Sequence, residues 1–462
     1  MRAAAVAALA LAGLVGCHRT NPDAPPSDDA SVEDATADAQ AALAPVRCRD
    51  TGEAAAVTSE LAPEDLDVGE AVPTPAGFAV GLVRTKPNGR AGAVALVASD
   101  PLRVARIVEL GQTPADATPP VVAWRGPDLV AAMCGVHGGV ELTSIAVSPG
   151  GPAGEASESG AAGRDAGAPL VVPQHDPLWA FDLAFVPAAP GAAATGVLVW
   201  GDATSASRGV IRASMVARDH AAPAQDVSPP DADADHARIV ALHRGPQAFV
   251  AVWIAHRPEP LAQDASESEA VGEPREFGWL EMVAIDDHGN PGGPVRRLTH
   301  PTGHVTGFDL QVIPADAPGT LLVVARDDGE AVDGSGGALL RVLVKGETVE
   351  SPVAFETDGL GRGDPVLVAA ATSASRSPSL ALSWTAHDES ARLLPLDLAG
   401  SPAGRPSMED GWKSGSPLLF LGARRPPGTA EGGASAAPAM PAMVVAEPSD
   451  AGVELRLMTC GR

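Results

Sequence analysis

Carboxylates, histidines and cysteines gather at only a few places in this 462-residue chain. Asp231-Ala-Asp233-Ala-Asp235 alternates carboxylates as calcium loops do. A helix-loop-helix calcium site also needs Gly at the sixth place and Glu at the twelfth. Those places hold His236 and Leu242, so a solvated acidic loop is the plainer expectation. Asp327-Asp-Gly-Glu-Ala-Val-Asp333-Gly is a second acidic run of the same kind. Cys134-Gly-Val-His137 has metal-ligand spacing, but no second pair accompanies it and a structural zinc takes four ligands. His300 and His304 fall between two strand-rich units, and His256 and His387 follow two such units at one shared place. Imidazoles converging on a channel could hold a metal or move protons; solvated loop histidines are the alternative. Gly-x-Ser-x-Gly, a phosphate loop, a dinucleotide fingerprint and His-Glu-x-x-His are all absent. No catalytic residue, metal ligand or cofactor can be named from the sequence, and the balance leans away from an enzyme.

The elements that would carry these groups read as short strands. Residues 238–300 show the pattern best. Arg238–Leu242, Phe249–Ile254, Gly278–Ile285 and Val295–Thr299 are four β-rich runs split by Gly, Pro, Asn and Asp, which makes an antiparallel meander. The densest run recurs as Phe78–Leu82, Leu129–Met133, Val197–Trp200, Phe249–Trp253, Leu321–Ala325, Leu380–Trp384 and Met443–Ala446. Trp200, Trp253 and Trp384 share one slot in it, filled elsewhere by Leu82, Met133, Ala325 or Ala446. Placed mid-strand, the three Trp side chains should pack between units as a repeat core; exposed, they could stack on sugars. Pro120–Trp124, Phe181–Phe185, Phe308–Ile313, Pro365–Val368 and Pro417–Leu421 precede these runs as first strands. Ala93–Val97, Val140–Ile145, Val210–Met215, Leu339–Leu343, Arg392–Leu396 and Val453–Leu457 follow as third strands. Fourth strands give the weakest signal. Residues 149–168, 219–236, 257–276, 327–337 and 425–441, poor in large apolar groups, read as surface insertions.

Composition bounds the partners. Hydrophobic residues make up 45% of the chain, enough for a large core, while 50 Gly and 44 Pro punctuate it as many turns require. A net charge of −26 argues against nucleic acid and against docking on anionic lipid through basic residues.

At the N-terminus Arg2 precedes an apolar run, Ala3 to Val15, that ends Leu14-Val15-Gly16-Cys17. The run suits a signal peptide and is short for a membrane span. The ending resembles the lipobox of bacterial lipoproteins. That resemblance makes residues 1–16 a cleaved signal peptide and Cys17 the lipidated residue, with a secretory signal cut near Gly16 as the alternative. Acyl chains on Cys17 would anchor the chain stably at a membrane. His18 in place of Asp favours the outer membrane over the inner in the cell envelope. Residues 17–45, rich in Pro, Asp, Ala and Ser, read as a disordered tether.

A four-stranded unit repeated every 40–70 residues resembles the blades of β-propellers. The resemblance implies an all-β fold over residues 46–462: a single propeller, seven blades of four strands. Propellers commonly close by pairing their two chain ends. The seventh unit ends after its third strand, at Cys460, so a segment around Arg47 to Glu60 is expected to supply the fourth. Cys48 opens that segment, and an exported chain meets oxidising conditions. A Cys48–Cys460 disulfide is therefore expected, with unpaired thiols as the alternative. Cys134 reads as an inert core residue. The function expected is a membrane-anchored, extracytoplasmic, monomeric binding scaffold for an envelope protein or polysaccharide. A hydrolase or lyase acting on an envelope or extracellular polymer at the channel mouth is the alternative.

Overall fold

A computed structural model describes residues 47–57, 66–126, 128–147, 169–173, 180–186, 194–205, 208–242, 247–258, 276–313, 320–329, 337–357, 359–361, 363–369, 380–397, 399–408, 416–424, 440–449 and 452–461. Cys17 and the lipobox lie outside these residues, as do 149–168 and Asp333.

The described chain forms seven antiparallel meanders of β-strands. Each begins with an innermost strand, and each innermost strand touches the next until the last meets the first. These strands are Leu66–Thr74, Val121–Trp124, Phe181–Val186, Asp233–Ala241, Val305–Val312, Val366–Ala369 and Ser416–Arg424. A closed circle of sheets around one axis is a seven-bladed β-propeller.

The second strands explain why the sequence reads as dense apolar runs. Both faces of a middle strand are covered, so alternate residues serve two different neighbours. In Phe249–Pro258, Phe249, Ala251, Trp253 and Ala255 pack toward blade 3. Val250, Val252 and Ile254 pack toward blade 5. Seven apolar clusters fill the seven interfaces in this way. Trp200, Trp253 and Trp384 are all buried and all face the preceding blade. Leu82 and Ala325 do the same. Ala446 does not. It faces blade 1, while its neighbour Val445 faces blade 6. A shift of one residue turns a strand side chain to the opposite face, so the shared slot slips in blade 7.

Ring closure uses both chain ends. Arg47–Ala56 is the outer strand of blade 7 and pairs antiparallel with Gly452–Gly461, Cys48 opposite Cys460. The two cysteines form a disulfide between residues 412 apart in sequence. Cys134 is buried in the interface of blades 2 and 3.

Outer strands are short in most blades: Leu170–Val172, Gln225–Asp226, Arg296–Arg297 and Ser407–Met408. In blade 5 the outer place is divided between Thr348–Val349 and Val353–Ala354. The segment 219–236, expected to be a surface insertion, instead holds the outer strand of blade 3 and the start of the blade 4 inner strand. The two-residue strand Gln225–Asp226 is held by backbone pairing and needed no apolar run.

Candidate functional site at the channel mouth

A cavity of about 450 Å³ opens on the axis, lined by inner strands and the residues leading into them. Arg238 of blade 4 reaches into it. Its Nη2 lies 2.6 Å from Glu70 Oε1 of blade 1 and 3.3 Å from Asp309 Oδ1 of blade 5. Its Nε lies 3.2 Å from Asp182 Oδ2 of blade 3. One guanidinium therefore joins four blades. The three carboxylates hold the Arg238 pKa above its usual value even though burial alone would lower it.

Asp182 and Asp309 occupy one repeated motif. Each stands second in a Phe-Asp-Leu triplet, Phe181–Leu183 and Phe308–Leu310. Asp182 accepts hydrogen bonds from the N–H of Leu183 at 2.8 Å and from the N–H of Ile239, in the next blade, at 2.9 Å. Asp309 accepts from Leu310 N–H at 2.7 Å and from Leu367 N–H, again one blade on, at 2.7 Å. These carboxylates staple adjacent inner strands. Burial raises both pKa values, against Arg238, and carries Asp309 up to about 7.

Four inner strands shift register in their first halves: between Val68 and Ala71, between Asp235 and Arg238, between Val305 and Gly307, and between Pro417 and Leu419. A bulge inserts an unpaired residue and re-aims side chains. It brings Glu70 to the mouth, 67% exposed. It also puts His236 at a φ of 50°, a left-handed conformation that few non-glycine residues adopt. His236 Nδ1 and His256 Nε2 each lie 2.9 Å from Asp235 Oδ1. Burial works against ionisation of Asp235, but the two imidazoles outweigh it and hold that carboxyl well below the usual range. The hydrogen bond to Asp235 raises the His236 pKa. For His256 burial acts downward, and Asp235 with Glu276 overcomes it, so the net shift is also upward. Asp364, just before the blade 6 inner strand, completes the lip. Burial raises its pKa, with His236, Arg326 and Arg238 opposing.

The residues singled out in the sequence divide clearly. His256 joins the rim, whereas His300, 2.8 Å from Thr302 Oγ1, and the exposed His387 stand outside it. His304 is buried, its Nδ1 3.2 Å from the Glu276 carbonyl. Asp233 accepts from Gly209 N–H and Asp235 faces two histidines, and both lie on the inner strand Asp233–Ala241, so their alternation follows the strand period. Asp327 caps the backbone of His304 and Gly329. Cys134 points inward while His137 is exposed in the hairpin beyond, which separates that pair. Sequence reasoning missed Arg238, Glu70, Asp182, Asp309 and Asp364 as a set; the repeated Phe-Asp-Leu was the visible signal.

Fold and mouth together define a propeller with a charged axial cavity. No family model matches the chain, and no curated protein does. Several solved structures are similar to it. A fucose-recognising lectin of Aleuria aurantia, a six-bladed β-propeller, shares 10% identity over 77% of this chain and 100% of its own, with a TM-score of 0.41. The subtype N11 neuraminidase-like protein of A/flat-faced bat/Peru shares 8% over 80% and 97%, with a TM-score of 0.41. A Trypanosoma rangeli sialidase, in complex with sialic acid, shares 9% over 90% and 59%, with a TM-score of 0.35.

Proposed function

We propose that the protein is a lipid-anchored propeller of the cell envelope that binds a partner at its channel mouth and does not transform it. The carrying observation is how the charged groups are engaged. Arg238 is matched by three carboxylates, and two of those also hold the backbone of neighbouring blades. The groups facing outward, Glu70, His236 and Asp364, suit recognition. The lipobox ending at Cys17 supports anchorage at a membrane, the outer one preferred. Co-purification from a detergent extract of the native envelope tests the binding role. A partner retained by the wild type and lost with Asp364→Asn is expected; a partner set unchanged by that substitution refutes the site.

One observation favours a second reading, a hydrolase or lyase acting on an envelope polymer. His236, oriented by Asp235 and held at positive φ, lines the cavity as a general base would. Turnover of extracted envelope polysaccharide by the wild type, abolished in His236→Gln, would establish it. Absence of turnover by either protein leaves binding as the function.

A further inference from the structure

The cavity already holds one organic cation, the guanidinium of Arg238, and it has carboxylate to spare. Arg238 takes Asp182, Asp309 and a single oxygen of Glu70. Asp364 is different. It lines the same cavity, yet among the described residues it accepts no hydrogen bond and joins no ion pair closer than 4 Å. Its position depends on a missing side chain. A Cβ on Gly307 would overlap Asp364 Oδ1, so the carboxylate rests against bare backbone of blade 5. Gly307 is not in the left-handed region, so its backbone conformation does not require glycine. What the glycine supplies there is room.

We propose that the mouth takes an amine, the ammonium group of a small molecule such as an amino sugar or a polyamine, paired with Asp364 and with Glu70 in reach along the same lining. This rests on reading the mouth as the binding site and adds the class of ligand. The charge argument is direct. Glu70, Asp182 and Asp364 line the cavity against Arg238 and His236; Asp309 stands behind Arg238, and Arg326, whose Nη1 reaches the Gly363 carbonyl at 2.9 Å, is itself paired with Asp328 at 2.6 Å. An acidic ligand would be repelled by Glu70 and Asp364 at the lip, and a neutral one would cover Asp364 without adding a partner for it. The size argument is separate. A cavity of about 450 Å³ falls in the range of small-molecule sites. The lining adds apolar walls from Val68, Val122 and Leu310 for the body of such a ligand.

The test uses the full chain in detergent and isothermal calorimetry with four probes: glucosamine oligomers, their N-acetylated counterparts, spermidine and an oligolysine peptide. Binding of the glucosamine oligomers or of spermidine is expected, and which of them binds identifies the source of the amine. The acetylated oligomers should not bind. Asp364→Asn and Gly307→Ala should each weaken binding roughly fivefold or more, the second by displacing the carboxylate without removing its charge. Asp219→Asn, at an exposed carboxylate outside the cavity, should leave affinity unchanged. Added salt should weaken binding in the wild type. Matching denaturation midpoints show that the variants fold. Equal binding of the acetylated and free-amine oligomers overturns the proposal, as does no binding of either small amine. Binding of oligolysine alone overturns it too and makes the partner a protein. In each of those cases the mouth remains a binding site if the envelope partner is still lost with Asp364→Asn; a partner retained there defeats the broader reading instead.

Discussion

Breaking the Cys48–Cys460 bond should cost several kcal/mol of stability, on the scale of deleting a buried aromatic side chain. The bond joins residues 412 apart, nearly the whole folded chain. In the chain-entropy description, closing so long a loop removes about 20 cal/mol/K from the unfolded ensemble, about 6 kcal/mol at 25 °C, and native-state compensation makes this an upper figure. The clasp has other parts that survive reduction. Arg47–Ala56 keeps its ladder with Gly452–Gly461. Thr51 Oγ1 still donates to the Leu457 carbonyl at 2.9 Å, and Arg456 still reaches Asp50 at 3.2 Å. Ala55 and Val57 stay in the core between blades 7 and 1. The reduced protein should therefore remain folded in dilute buffer and unfold at lower denaturant.

Guanidinium unfolding followed by tryptophan fluorescence measures this with and without reductant, and in Cys48→Ala/Cys460→Ala. The reduced wild type and the double variant should lose similar stability, several kcal/mol, with a steeper denaturant dependence because the uncrosslinked chain exposes more surface. Agreement between the two separates the cross-link from the packing of two buried sulfurs. Alkylation of the unfolded chain should gain two labels only after reduction. A loss below about 1 kcal/mol would refute the argument, because the strand ladder alone would then be closing the ring.

Trp253→Ala should destabilise by about 3–5 kcal/mol, and Trp253→Phe by clearly less, in denaturant titrations. The Trp253 Nε1 has no hydrogen-bond partner among the described residues, so Phe removes volume without breaking a bond. Asp309 holds its proton to about 7 in the folded protein against a usual 3.8. The folded chain then binds more protons between about pH 4 and 7, so stability falls as pH rises through that window, and Asp309→Asn should flatten the fall in melting curves. The upward shift of His256 has its own window: its contribution is complete below the usual value of 6.5 and fades as pH rises through the higher folded value, a loss that His256→Gln should remove. Cys17→Ser should release the protein from membranes into the soluble fraction on ultracentrifugation, and equal sedimentation of both forms would oppose lipid anchorage.

The circle of blades was legible because of where apolar residues must go. A second strand buried on both faces has no polar alternation, so runs such as Phe249–Ile254 and Leu321–Ala325 stand out. The outer strands were illegible for the opposite reason. Two or three residues such as Gln225–Asp226 carry no pattern, and their pairing is decided by the strand beside them. The innermost strand of blade 1, Leu66–Thr74, is interrupted by Gly69 and Pro73 and does not read as a strand at all. The clasp could be anticipated because the seventh unit ran out of chain at Cys460. The charged mouth could not. Arg238 looked like the first residue of an apolar run, and Glu70 lies in another blade. Side chains meeting across a channel share no sequence spacing. A bulge also leaves no reliable mark, since the extra residue at His236 is an ordinary histidine in the chain.

Bulges also occur in outer, middle and third strands, but those at the mouth have a consequence that follows from the architecture. Every blade begins with its innermost strand, so the first halves of the inner strands surround a single opening. A bulge costs ladder hydrogen bonds, and a histidine at positive φ costs more. The bulges contribute little to packing beyond Ala237 in the cluster of blades 3 and 4, because the interblade clusters are built mainly from the second and third strands. Nor is the ion-pair knot a strong source of stability, since buried charges recover little beyond their desolvation. Asp182 and Asp309 do have structural work, satisfying Ile239 and Leu367 in the next blades. Among the described residues Glu70, His236 and Asp364 satisfy no neighbouring blade's backbone, yet the bulges at Val68–Ala71 and Asp235–Arg238 and the bare Gly307 bring them to the lip. On the proposed reading, the positions of Glu70, His236 and Asp364 at the lip serve the ligand and not the ladder.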